Sequence, residues 1–199
     1  MSRRQKRPTR RKSPSRATRT KPPAPAPASR QARPRGELPA TKSANAADNP
    51  GVIAPPPLIY AVPLVIGLIV HFTVGGMDMG LPPLLRWPFG LLAIFGGLLV
   101  IGLAIERFGR ARTNPEPWKP ATAVVTDGIY RFSRNPMYLG MALAYAGIAV
   151  VFDCGFTLAL LLLAILVIDR GVIAREERYM EAKFGGRYAL WKRDTRRWI

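Results

Sequence analysis

Gly128-Ile129-Tyr130-Arg131-Phe132-Ser133-Arg134-Asn135-Pro136-Met137-Tyr138-Leu139-Gly140 leads from a polar, proline-rich loop into an apolar run that carries no charge as far as Phe152. Proline fits the first position of a helix, where its missing N–H would lack an intrahelical partner anyway, so Pro136 marks a helix start. Asn135 is then the natural N-cap. A helix that begins in polar sequence and continues without charge reads as a membrane helix entered from one surface. Two arginines and two tyrosines gather at its mouth.

Working outward from this helix gives the fold. Asp153-Cys154-Gly155 is a tight turn, and Phe156 to Ile168 is apolar again, so the two runs form a helical hairpin. The second run reaches only about 20 Å before Asp169-Arg170, less than the ~30 Å hydrocarbon core. It spans only if these two residues face protein or snorkel, or if the bilayer thins. Upstream, Trp87 to Ile105 and Leu58 to Val74 are two further apolar runs, the first anchored by Trp87 and rich in glycine, the second interrupted by Pro63. The expected fold class is all-α: an integral membrane helical bundle with about four transmembrane helices, at 58–74, 87–105, 137–152 and 156–168. A cytoplasmic helix is expected over about 171–184. Between the second and third spans, Pro115, Pro117 and Pro120 forbid a helix. That loop, with Trp118 and Val124-Val125, is expected to lie along the membrane surface as a wall or lid. Asp127-Gly128 is a turn signal.

The charge is uneven. The chain has 199 residues and a formal net charge of +18, and residues 1–50 hold 14 Lys/Arg against Glu37 and Asp48. Residues 1–57 are rich in Arg, Lys, Pro and Ala and poor in large apolar side chains, so they are expected to form a disordered basic cytoplasmic tail. Anionic lipid head groups are its expected partner. Nucleic acid is a weaker one, because the tail contains no aromatic residue to stack on bases. Four spans put both termini on one side, together with the 106–135 segment and the basic C-terminus. The opposite loops carry only Arg86. The positive-inside rule then places both termini in the cytoplasm, in an inner or plasma membrane. Cys154 and His71 are the chain's one cysteine and one histidine, so neither an internal disulfide nor a Cys/His zinc site is expected, and no metal ligands are assigned.

Two constellations carry chemistry. A membrane helix starting at Pro136 presents free N–H groups and a positive dipole end at the surface, a site for a carboxylate or phosphate. Arg131 and Arg134 add charge, Tyr130 and Tyr138 add rings for an aromatic or sulfonium group, and Gly140 allows a close neighbour. The other constellation is Arg175-Glu176-Glu177-Arg178. If the last helix continues to about Phe184, then Ile173, Glu177, Met180 and Phe184 share one face. Glu177 on that apolar stripe needs a partner. It either pairs with a loop arginine or recognises a cationic or hydroxyl-bearing ligand. S-adenosylmethionine would use both constellations, having a carboxylate, an ammonium, ribose hydroxyls, adenine and a sulfonium.

The ordered set Gly128-Ile129-Tyr130, Ser133-Arg134-Asn135-Pro136-Met137-Tyr138, Glu176-Glu177 and Phe184-Gly185-Gly186-Arg187-Tyr188 resembles the isoprenylcysteine carboxyl methyltransferase and phospholipid methyltransferase superfamily, over about 106–199. The resemblance implies that residues 58–199 form one membrane methyltransferase-like domain. S-adenosylmethionine would bind between the start of the third span and the double-Glu helix, and a lipidic substrate would enter from the bilayer. By match, Arg134, Asn135, Pro136, Tyr138, Gly140, Glu176 and Glu177 would form the pocket, with Tyr130 beside them. Asn135 stands where the carboxyl methyltransferases usually have histidine. It is closer to the Asn-Pro-Met-Tyr of phospholipid N-methyltransferases, so the resemblance leaves both acceptors open: an isoprenylcysteine-like carboxylate or a phospholipid amine.

Methyl transfer is an in-line displacement in which the protein mainly aligns donor and acceptor and excludes water. Arg134 and Glu177 are the candidate catalytic residues. A carboxylate acceptor needs no base, whereas an amine must lose a proton, to Glu177 or a tyrosine. Two rival readings are a membrane reductase of related architecture with a nicotinamide cofactor, and a non-enzymatic membrane anchor whose basic tail recruits lipid or nucleic acid.

Overall fold

A computed structural model describes residues 48–75 and 78–199. Most of the basic tail, residues 1–47, lies outside the described residues. The described helices are α1 (Pro56–Val74), α2 (Pro83–Arg110), α3 (Pro136–Val151), α4 (Gly155–Val167), α5 (Ala174–Phe184) and α6 (Gly186–Asp194). A 3-10 turn, Gly128–Arg131, precedes α3, and a π-helical turn, Ile168–Ile173, joins α4 to α5. No strand occurs among the described residues, only an isolated bridge between Asp78 and Cys154.

The protein is an all-α integral membrane protein. Three helices, α1, α2 and the continuous helix Gly155–Phe184, are long and apolar enough to cross a membrane. α3 is shorter, with 16 residues. Large apolar side chains face outward: Phe72, Leu92, Phe95 and Leu162 are each 65–70% exposed. Water would penalise such a surface, but lipid does not.

The structure moves several expected boundaries. α2 begins at Pro83 and ends at Arg110, beyond the expected 87–105, because Arg107 and Arg110 sit in its last turn, where cations favour the negative end of the helix. The short fourth run does not end at Asp169-Arg170. Asp169 accepts hydrogen bonds from Arg197 Nη1 and from Trp198 Nε1, each at 3.1 Å, so its charge is partnered and the helix runs on to Phe184. Residues 48–57 also separate from the expected tail. Asp48 binds Lys183 Nζ at 2.7 Å, the Gly51 carbonyl accepts from Arg175 Nη1 at 2.8 Å, and Ile53 covers Gly171.

Packing inside the membrane rests on small residues. α2 and α3 run antiparallel with Gly90 against Gly147 and Gly97 against Gly140. A Cβ at Gly97 would stand 2.5 Å from the Gly140 carbonyl oxygen, and one at Gly147 would stand 2.6 Å from that of Gly90. Backbones in direct contact suit a bilayer, where apolar side chains gain little by leaving lipid for protein. On the other flank of α3, Tyr60 of α1 donates its hydroxyl to the Tyr138 carbonyl at 3.2 Å, and Tyr145 donates to the Thr157 carbonyl at 3.0 Å. The buried cluster of Tyr60, Tyr138, Tyr145, Leu161, Ile168 and Val172 lies between these helices.

Candidate active site

The start of α3 follows the sequence reading in outline. Asp127-Gly128 turns the chain with Gly128 at φ +59°. A Cβ there would run into the Arg107 guanidinium, which pairs with Asp127 at 3.1 Å. Pro136 occupies the first helical turn, but Asn135 makes no side-chain cap. Its Nδ2 donates instead to the Arg197 carbonyl at 2.9 Å, and its N–H is received by Ser133 Oγ at 3.1 Å. The expected cap gives way because a backbone carbonyl from the C-terminal segment lies within reach of the amide.

A pocket opens between this helix start, α5, α6 and the proline-rich loop. Its walls include Tyr130, Arg134, Asn135, Tyr138, Glu176 and Glu177. Six expected site residues, scattered over 48 positions of sequence, are therefore brought to one cavity. Pro136 and Gly140 are not among its walls. Pro136 is fully buried at the helix start, and Gly140 faces α2, where a Cβ would meet the Gly97 carbonyl oxygen at 2.7 Å. Both belong to the scaffold of the pocket and not to its surface. Arg131, expected to add charge, is exposed and also lies outside the pocket walls.

The charges inside the pocket are arranged unequally. Glu177, 5% exposed, is bound by Arg197 through two hydrogen bonds of 3.1 and 2.8 Å, by Arg134 Nη2 at 3.1 Å and by Lys192 Nζ at 3.3 Å. Three cations around one carboxylate make it a poor proton acceptor. Glu177, a candidate catalytic residue, is an ionic hub of the site. It pairs with two arginines and a lysine, and it lines the cavity. Hydrogen bonding to Glu181, and then the charge of Glu177, raise the pKa of Lys192 and hold it protonated. Glu176 has a single recorded partner, Tyr138, whose hydroxyl donates to it at 2.5 Å, and it makes no ion pair among the described residues. Burial pushes the phenols of Tyr130 and Tyr188 well above their ordinary pKa, so neither is a base near neutral pH.

Arg134 faces the cavity in an unusual state. Its side chain is 10% exposed. Nη1 donates to the Lys192 carbonyl at 3.0 Å and Nη2 binds Glu177, but Nε is buried with no hydrogen-bond partner among the described residues. A buried N–H without a partner is costly.

The sequence reading expected the proline-rich loop as a wall or lid but placed no part of α6 in the pocket. Asn114, Pro115, Glu116 and Pro117 line the cavity together with the buried Val124 and Val125, so the proline-rich loop is a wall of the site, while Trp118 is not among the lining residues. Trp191 and Tyr188 of α6 complete the aromatic side. The proline spacing signalled a stiff segment, but no local pattern could say which cavity it would meet.

Residues 85–187 match the phospholipid methyltransferase family. The match covers α2, the proline-rich loop, α3 and the double-Glu helix, and it begins upstream of the motifs seen in the sequence. A protein of Haemophilus influenzae, described as uncharacterized, is 38% identical over 63 residues, which are 32% of this chain and 79% of that protein. No solved structure matches the chain. Motifs, membrane helices and family match together place the chain in the phospholipid methyltransferase family, as an integral membrane methyltransferase.

Proposed function

We propose that this protein transfers a methyl group from S-adenosylmethionine to a lipidic acceptor that reaches the pocket from the bilayer. The observation that carries the reading is the pairing of opposite charges in one cavity wall: Arg134, a guanidinium, and Glu176, a carboxylate that makes no ion pair among the described residues. A ligand with an anionic and a cationic end matches these two groups. Arg134 would hold the α-carboxylate of the cofactor. Glu176, oriented by Tyr138, would take the ammonium or the ribose hydroxyls. Tyr130, Tyr188 and Trp191 would face the adenine and keep water away.

The sulfonium supplies an already activated methyl group. What remains for the chain is alignment and desolvation. With Glu177 engaged by three cations and the phenols of Tyr130 and Tyr188 raised in pKa, none of these three residues serves as the base for an amine acceptor. The isoprenylcysteine-like carboxylate and the phospholipid amine both remain within this reading. Charge asymmetry supports termini in the cytoplasm, since Arg107, Arg110, Arg112 and Lys119 share the pocket end. We infer that the basic tail meets anionic head groups on that side.

The test is calorimetry on detergent-purified protein. S-adenosylhomocysteine is expected to release or absorb heat with a saturable isotherm, and NADPH to give none. Silence with S-adenosylhomocysteine at millimolar concentration from folded protein would sink the reading. Saturable binding of NADPH alone would favour the reductase.

A further inference from the structure

The last residues of the chain return across the start of α3. The Arg196 carbonyl accepts from the Arg134 N–H at 2.9 Å, and the Arg197 carbonyl accepts from Asn135 Nδ2 at 2.9 Å and from Ser133 Oγ at 3.4 Å. The Arg197 guanidinium meanwhile engages the opposite wall. Nε and Nη2 bind the two oxygens of Glu177 at 3.1 and 2.8 Å, and Nη1 reaches both oxygens of Asp169 at 3.1–3.2 Å. One residue thus joins the helix start, the π turn and α5.

The fork geometry matters for what lies beyond Glu177. Two parallel hydrogen bonds fix a carboxylate in rotation as well as position, which a single ammonium cannot do. Glu177 Oε1, so fixed, receives Arg134 Nη2 at 3.1 Å. The Lys192 carbonyl receives Nη1 at 3.0 Å. Arg134 is clamped at both terminal nitrogens, and its side chain lines the cavity. Arg197 lies beyond the residues that match the family, which end at 187.

We propose that Arg197 is a positioning residue of this site: it fixes Glu177, and through Glu177 it fixes Arg134, so that the Arg134 guanidinium meets the carboxylate end of the cofactor. The inference rests on the S-adenosylmethionine reading above. It makes Arg197 matter for one end of the ligand only.

That selectivity gives the test. The full chain and its Arg197→Ala and Arg197→Lys variants are titrated with S-adenosylhomocysteine and with 5′-methylthioadenosine, which keeps adenosine and sulfur but lacks the amino-acid carboxylate. Arg197→Ala is expected to weaken S-adenosylhomocysteine about tenfold, the order of one charge-assisted hydrogen bond, and to leave methylthioadenosine within about twofold. Arg197→Lys, which keeps the charge and loses the fork, is expected to fall between. It carries the test alone if Arg197→Ala does not purify folded. Unchanged S-adenosylhomocysteine affinity in the variants overturns the positioning role and leaves the cofactor reading standing. Equal loss for both ligands also overturns it, since a general loosening of the pocket would do that. If the unmodified chain binds neither ligand, the cofactor reading and the positioning role fall together.

Discussion

α3 is held in two different ways. Along its membrane length it meets α2 through bare backbone, with Gly97 against Gly140 and Gly90 against Gly147. At its N-terminal end it is tied to α5 and the C-terminal residues through charge, with Arg134, Lys192 and Arg197 around Glu177. The glycine seam has no freedom to adjust, because the groups in contact are main-chain atoms. The charged junction is made of side chains held by hydrogen bonds and ion pairs, and it cannot lose a charge without leaving others uncompensated. One half should therefore be sensitive to volume and indifferent to charge, and the other the reverse.

The largest effect should come from volume in the seam. Gly97→Leu places a side chain where even a Cβ stands 2.5 Å from a carbonyl oxygen. Overpacking of this kind costs about 3 kcal/mol or more where no side chain can give way. We expect no folded protein after detergent extraction, read by size exclusion. Gly102→Ala, where nothing lies within 4 Å, should be neutral in the same assay. A well-folded Gly97→Leu protein would break the contrast.

Charge in the junction comes next. Glu177→Gln keeps the volume and leaves Arg134, Arg197 and Lys192 around a neutral amide. Removing one partner of a buried pair costs about 3 kcal/mol. Arg197 and Lys192 are each about a third exposed, so water offsets part of that. A lower thermal midpoint together with weaker S-adenosylhomocysteine binding is expected. Full stability would show that the three cations do not depend on the carboxylate. The smallest effect belongs to a partly exposed ion pair. Lys183→Ala removes the contact to Asp48, which is 54% exposed, and should cost under about 1 kcal/mol. A larger loss of thermal stability would mean that residues 48–53 brace α5 more firmly than a surface pair can.

The same contrast sets how far the sequence could be read. Apolar runs announced the membrane helices, and clustered glycines announced a close approach, because both signals are local. Pro136 marked the helix start to the residue. Tyr130, Arg134, Asn135, Tyr138, Glu176 and Glu177 were legible as a pocket through spaced motifs. Their partners were not. Arg197 meets Glu177 from 20 positions away and Asn135 from 62 positions away, and no periodicity links them. Asn135 shows the limit well: its type and place said cap, but a distant carbonyl took its amide. Gly140 matched a motif and proved to face α2, since a glycine reads the same whether it admits a ligand or a helix.

The π turn at Ile168–Ile173 concerns the phase of the helix. At 100° per residue, an uninterrupted α-helix would put Glu177 about 160° around the axis from Leu161, which is buried against α3. A π turn winds about one extra residue into the helix and takes back roughly 100° of that. The fourth span can therefore present one side to the bundle while its extension brings Glu176 and Glu177 round toward the pocket. Membrane packing and site orientation, which share a single helix, are set independently by this one turn.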